Sequence, residues 1–218
     1  MSKYNMEPIV CPVCKTEHKI KIWESLEASE NEKQKEKILD NTFFMFDCKK
    51  CDYTAPLAYN FLYSDKKKNM MIWLIPEATE EVLAKMEEAN TGKDNMICRV
   101  VETPNELKEK IMINDAGMDD RIVELFKLVY VSQLVAITGD ESIAEEGITE
   151  MLFDINEDQY AFVVFFEKRD PVMIPANYEV YIKLYTDFIE IVEENEKKGF
   201  EKIDFLWAKD MFNRKNAQ

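Results

Sequence analysis

The chain has 218 residues, 46% of them hydrophobic and 11% aromatic, which suffices for one or two packed cores and excludes wholesale disorder. Net charge is −15, and the excess is local: of 28 basic and 43 acidic residues, 12 and 11 fall within residues 1–76, leaving 16 and 32 for residues 77–218. A surface as acidic as the second part repels phosphate backbones, which argues against nucleic acid as a partner and for solubility or a protein with a basic face.

No apolar stretch follows Met1–Asn5, and the longest apolar run, residues 122–137, is interrupted by Glu124, Lys127, Ser132 and Gln133. Neither a signal peptide nor a membrane span is expected. Five cysteines, four of them in two C-x-x-C pairs, suit metal binding in a reducing compartment better than a disulfide framework, so the expected location is cytoplasmic.

Along the chain, His18–Trp23 alternates as a strand, with Ile20 and Ile22 on one face and Lys19 and Lys21 on the other. Residues 29–41 are polar helix formers, with Ser29 placed to cap and Glu32 three residues on. Strands are expected at 42–47, 54–63 and 70–75, the last two joined by a turn over 64–69. Pro76 closes an antiparallel β module. From Glu77 the texture changes. Thr79 caps a helix to about Asn90, 96–102 reads as a strand, and Thr103-Pro104-Asn105-Glu106 starts a helix that Gly117 ends. Asp119 caps a further helix to Ile137 whose apolar residues cover most of its circumference, which places it in a core. A hairpin of 148–155 and 159–167 follows, flanking Asn156-Glu157-Asp158. Its run Phe162–Phe166 is apolar on both faces, as in a central strand covered on each side. Residues 173–175 suit a sheet edge, 177–195 a long helix, and Phe205–Trp207 part of a last one. The expected architecture is α+β: a zinc-ribbon-like module over 1–76 docked on an acidic α+β domain over 77–218.

The chemistry concentrates in Cys11-Pro12-Val13-Cys14 and Cys48-Lys49-Lys50-Cys51. Two residues between cysteines let one tight turn aim both sulfurs at one point, and two such turns offer the four thiolates that tetrahedral Zn²⁺ accepts; an iron centre would use the same ligands. The 33 residues between the pairs accommodate a strand, a helix and a strand. Ribbon turns favour glycine after the second cysteine, where φ is positive, and here Lys15 and Asp52 stand instead. Four thiolates and one Zn²⁺ leave a charge of −2, which Lys15, Lys49 and Lys50 are placed to offset; the alternative is that these lysines are ordinary surface residues.

These cysteine pairs, with Lys21-Ile22-Trp23, Asp40-Asn41, Phe46-Asp47 and Leu62-Tyr63-Ser64-Asp65, resemble the CpXC family, a bacterial and archaeal group named for two such cysteine motifs. The resemblance covers residues 9–76, with a fainter likeness over Glu109-Lys110-Ile111 and Asp119-Asp120-Arg121. It departs at Lys49, where the name leads one to expect proline. It implies metal binding and no known reaction.

Other readings compete. CPVC as a redox dithiol would need a strand before it and a helix starting at it, whereas a strand-like run follows. Cys98 reads as a buried, inert thiol. His18, the sole histidine, reads as an exposed bystander beside four sufficient cysteines. Asp120 and Glu124 lie one helical turn apart and, with Asp119, offer a divalent-metal or acid/base cluster for an enzyme; the plainer reading is capping and ion pairing. Lys66-Lys67-Lys68 is a phosphate grip or a solvated turn. The function expected is a metal-binding interaction or scaffold module, with a metal-dependent enzyme and a nucleic-acid-binding ribbon as alternatives.

Overall fold

The computed structural model describes residues 2–88, 96–145, 147–156 and 159–217. Its strands and helices divide into two compact units, Met1–Lys108 with Lys198–Glu201, and Glu109–Lys197 with Lys202–Gln218.

In the first unit β1 (Lys3–Val10) and β2 (Glu17–Glu27) form a long antiparallel hairpin, paired from Tyr4↔Trp23 to Val10↔Glu17. A 3₁₀ turn at Ala28–Glu30 leads into α1 (Glu32–Leu39), and then β3 (Met45–Asp47) and β4 (Thr54–Pro56) make a second, shorter hairpin. The chain returns through β5 (Phe61–Asp65) and β6 (Met70–Leu74), then α2 (Glu80–Glu88) and β7 (Ile97–Val101). The large sheet runs β1-β2-β5-β6-β7.

This sheet is mixed, where the sequence suggests an antiparallel one. β5 lies parallel to β2, through pairs such as Leu26↔Tyr63, and β7 lies parallel to β6. In each case an excursion containing a helix carries the chain back to the start of the sheet, as a parallel pair requires. The same pairing extends the unit past Pro76: composition changes there, but the next strand still adds to this sheet. The expected strand over 54–63 is two strands, because β4 pairs with β3 while β5 lies between β2 and β6. The expected helix over 29–41 starts at Glu32, and Ser29 donates instead to the Glu27 carboxylate at 2.5 Å.

β5 and β6 alternate buried and half-buried residues, so Phe61 and Leu74, and Tyr63 and Ile72, are buried as facing pairs, and the Phe61 ring meets Phe44 edge-on at 5.4 Å. Glu27 and Asp65 are buried at one end of the sheet and fully used. Glu27 accepts from Ser64 Oγ at 3.0 Å and Lys66 N at 3.1 Å, and Asp65 accepts the amides of Lys67 and Lys68. Segment Lys198–Glu201 joins this unit beside β7, where Val100 N donates to Glu201 O and Phe200 is buried with Cys98 and Val100.

The division of the chain falls within α3 (Pro104–Asp115). The second unit then contains α4 (Asp120–Ser132), α5 (Leu134–Thr138), β8 (Ile148–Asn156), β9 (Gln159–Phe166), β10 (Val172–Pro175), α6 (Tyr178–Glu194) and α7 (Phe205–Asn216). The single helix expected over 119–137 is interrupted at Gln133, whose N–H reaches Tyr130 O. The expected turn residues Glu157 and Asp158 lie outside the described residues, as do the end of the 79–90 helix and the loop after it.

The three-stranded sheet is antiparallel in the order β10-β9-β8. Phe162, Val164 and Phe166 on β9 pack with Val123 and Phe126 of α4 and with Leu184 and Phe188 of α6. β9 is central, as its composition predicts, but only one of its faces is buried: Ala161, Val163 and Phe165 on the other are half-buried.

Candidate metal centre

The first C-x-x-C pair occupies the turn of the β1–β2 hairpin, and the second occupies the turn of the β3–β4 hairpin. The two turns share one hydrogen-bond pattern. Cys11 N donates to Thr16 O at 2.9 Å and Cys48 N donates to Tyr53 O at 3.0 Å, so each turn closes directly beyond the last strand pair. Lys15 N also donates to Cys11 O, and Lys15 adopts φ 58°, the left-handed conformation that a glycine takes without cost. Asp52, at the matching place in the second turn, is not among the residues with positive φ.

These turns bring four sulfurs together. Cys11 Sγ and Cys51 Sγ are 3.7 Å apart, Cys14 Sγ and Cys48 Sγ are 3.6 Å apart, and all four lie within 4.8 Å of one another. A tetrahedron with metal–sulfur bonds of about 2.3 Å has edges of about 3.8 Å, so the donor set fits a tetrahedral thiophilic ion such as Zn²⁺. Such an ion would supply the positive charge around which four thiolates can stand together. The cluster can hold a metal ion, and among the described residues it is the one group of three or more Cys, His, Asp or Glu donors gathered closely enough to do so.

Cys11 and Cys48 are buried, Cys14 and Cys51 half-buried, and Phe46, Ile9, Ile20, Tyr53 and Leu57 pack around them. Lys50 N points at Cys48 Sγ at 3.5 Å. The Thr16 hydroxyl, and after it the Thr16 backbone N–H, hold the Cys14 thiol down to about 6. The Tyr53 backbone N–H favours the Cys51 thiolate, but burial and the sulfurs of Cys48, Cys11 and Cys14 outweigh it and push that thiol up to about 12. Cys14 and Cys51 are thus unequal acids before any cation joins them.

His18 is not an exposed bystander. Its ring is half-buried, with Nε2 3.2 Å from Cys48 Sγ and an edge-on contact to Phe46 at 5.6 Å. The alternation of β2 carried the signal: His18, Ile20 and Ile22 share a face, and Ile20 packs against the cysteine cluster.

The other sequence candidates resolve differently. Asp119 is the N-cap of α4, accepting from Arg121 N at 2.9 Å and pairing with the Arg121 guanidinium at 2.7 Å. Asp120 and Glu124 turn inward. Asp120 Oδ2 is 3.1 Å from Lys110 Nζ, and Glu124 Oε2 is 3.1 Å from Lys127 Nζ and 4.0 Å from Lys110 Nζ. Glu109 completes the group, 2.7 Å from Lys127 Nζ, and its carboxylate also accepts the N–H of Phe153 on β8. All five charged residues are buried. Two ammonium groups stand where a divalent ion would be needed, so capping and ion pairing account for these residues. Sequence reasoning missed Glu109, Lys110 and Lys127, whose charges by themselves suggest a surface.

Burial pushes the Glu124 carboxyl above the usual carboxylate range, against the pull of Lys127 and Lys110. Burial also opposes the charge on Lys127, yet Glu109 and Glu124 hold its pKa above the ordinary lysine value. Cys98 is 3% exposed in a core with Val100 and Phe200, an environment that leaves a thiol inert. In the Lys66–Lys68 turn, Lys66 Nζ lies 3.8 Å from the buried Glu27 carboxylate. No described helix is long and apolar enough to cross a membrane.

A family model described as "CpXC protein" matches residues 9–127, more than half of the chain. The match spans both cysteine turns and ends at Lys127, so it includes the stretch that carries the buried ionic group. No curated protein and no solved structure matches.

Proposed function

Because the chain belongs to the CpXC family, we propose that it is a metal-binding protein in which Cys11, Cys14, Cys48 and Cys51 hold one structural Zn²⁺, and that it acts as an interaction or scaffold module. The observation carrying this reading is the convergence of four sulfurs from two matched hairpin turns. The ion's work is to tie the tip of the long β1–β2 hairpin to that of the short β3–β4 hairpin, whose strands pair over only three residues. The partner expected is a protein with a basic face, because residues 77–218 carry twice as many acidic as basic side chains.

Elemental analysis of protein purified without added metal tests the first half, with about one zinc per chain expected. Folded protein holding no metal, and losing no stability on Cys11→Ser or Cys48→Ser, would sink the assignment. Iron with a thiolate charge-transfer colour would replace zinc by a rubredoxin-like centre.

A further inference from the structure

We infer that His18 and Thr16 are outer-sphere donors to the metal centre, one to each C-x-x-C pair, and that they make it a retentive, chemically quiet site. The inference rests on the metal reading above. A thiolate bound to a cation carries no proton and can only accept, so the imidazole nitrogen facing it must be the protonated one. His18 Nε2, 3.2 Å from Cys48 Sγ, therefore donates, and the tautomer is fixed. The ring has little freedom to turn away, being half-buried, with Phe46 against it and Ile9 opposite it on β1.

Thr16 stands in the corresponding relation to Cys14. Its Oγ1 is 3.3 Å from Cys14 Sγ, and once that sulfur is a thiolate the hydroxyl must donate. Its carbonyl accepts from Cys11 N, which pins the residue in the turn. Thr16 ends the first turn and His18 is the second residue of β2, so one short segment serves both pairs.

Four thiolates around a divalent ion leave two negative charges in a partly buried place, and each sulfur keeps lone pairs that can attack an electrophile or a second metal. A donated hydrogen bond draws charge from those lone pairs. Cys48 accepts two donors, His18 Nε2 and Lys50 N; Cys14 has the Thr16 hydroxyl and backbone N–H; Cys51, half-buried, has the Tyr53 backbone N–H. The order of shielding is then Cys48 and Cys14 above Cys51.

The test uses the full chain loaded with Zn²⁺ or Co²⁺, and the variants His18→Phe, His18→Gln, Thr16→Val and Thr16→Ser. Transfer of zinc to a chromophoric chelator should become roughly tenfold easier in His18→Phe and Thr16→Val. His18→Gln and Thr16→Ser, which keep a donor, should restore much of the retention. In cobalt-loaded protein the thiolate-to-metal band should keep four-thiolate intensity and move to longer wavelength when a donor is lost. Iodoacetamide mapping should find Cys51 modified first in the native chain, with Cys48 becoming reactive in His18→Phe and Cys14 in Thr16→Val.

Folded His18→Phe and Thr16→Val proteins with unchanged zinc retention and an unchanged cobalt band would overturn the inference while leaving the metal site standing. Three-thiolate intensity in the native chain, with a nitrogen ligand lost in His18→Phe, would also overturn it by making His18 a ligand. A native chain that takes up neither ion would instead remove the metal reading, and this inference with it.

Discussion

Four thiols converge between two turns of the first unit, whereas three carboxylates converge on two lysines inside the second. Both are gatherings of potential negative charge, and the difference lies in where the balancing charge comes from. Lys127 and Lys110 are covalently part of the ionic group, so Glu109, Asp120 and Glu124 are answered as soon as the chain folds. Among the described residues no buried cation stands at the cysteine cluster, which can hold a metal ion instead. Paired carboxylates with their own lysines are spent on architecture, while converging donors without a built-in cation are available for chemistry.

The largest effect should come from the cysteines. On the metal reading proposed above, replacing Cys11 or Cys48 by serine removes a ligand from a site whose binding energy is also folding energy, on the order of 10 kcal/mol for structural zinc. We expect loss of the stoichiometric metal and loss of the tip structure, read by elemental analysis and by disappearance of the dispersed resonances of residues 9–20 and 44–57. The pH dependence follows from the thiols. Protons compete with the ion, so zinc affinity should fall as pH falls, and fall more steeply below about 6, where Cys14 must also give up a proton. Affinity that is flat from pH 8 to about 5 would break the comparison, since the cysteines would not be the ligands.

In the second unit, effects should be smaller and unequal between partners. Lys127→Met leaves Glu109 and Glu124 without their shared cation in a buried place, and should cost about 3–5 kcal/mol in chemical denaturation. Glu124→Gln should cost far less, because it removes one acid from a group holding three acids and two bases. The sign with pH is definite. The Glu124 carboxyl titrates above its ordinary 4.5 in the folded state, so its contribution is fully present below that value and is lost as pH rises through the folded value. Glu124→Gln abolishes that loss, and its stability relative to the native chain should improve from acid toward neutral pH. A constant difference between the two across this range would show Glu124 to be an ordinary surface-like carboxylate.

What the sequence revealed and what it hid follow the same divide. Spacing located all four cysteines, because C-x-x-C encodes a turn locally and the convergence of two turns needs only a return of the chain. Capping chemistry identified Asp119, and apolar periodicity found α4 and α6. β1 went unseen although Lys3-Tyr4-Asn5-Met6-Glu7 alternates polar and apolar residues; the run is short and Pro8 interrupts it, and nearly all of it is exposed in the fold. The parallel joins of β5 and β7 to the sheet were equally hidden, since they depend on pairing across long excursions. The partners of Asp120 and Glu124 in the ionic group were hidden for a similar reason. Lys127 meets Glu109 across 18 residues, and nothing in either neighbourhood says that their charges are turned inward. His18 was misplaced because its type was weighed and its strand face was not.

The smallest effect belongs to Asp119, and it sharpens the boundary of the ionic group. Asp119 and Asp120 are adjacent in sequence and chemically identical, yet one faces the start of α4 and the other Lys110. Asp119→Ala removes a cap to Arg121 N and one partner of a partly exposed ion pair, which should cost about 1 kcal/mol. Asp119→Asn keeps an acceptor and should cost a few tenths. The hydrogen bond from Asp119 N to Tyr181 Oη survives either change, because it uses the backbone. Asp120→Ala should cost more than Asp119→Ala, since it strips a buried ammonium of its nearest carboxylate. Urea denaturation of the two alanine variants side by side decides the matter. Equal losses, or a larger one at Asp119, would mean that the charge held inside the second unit does not include Asp120.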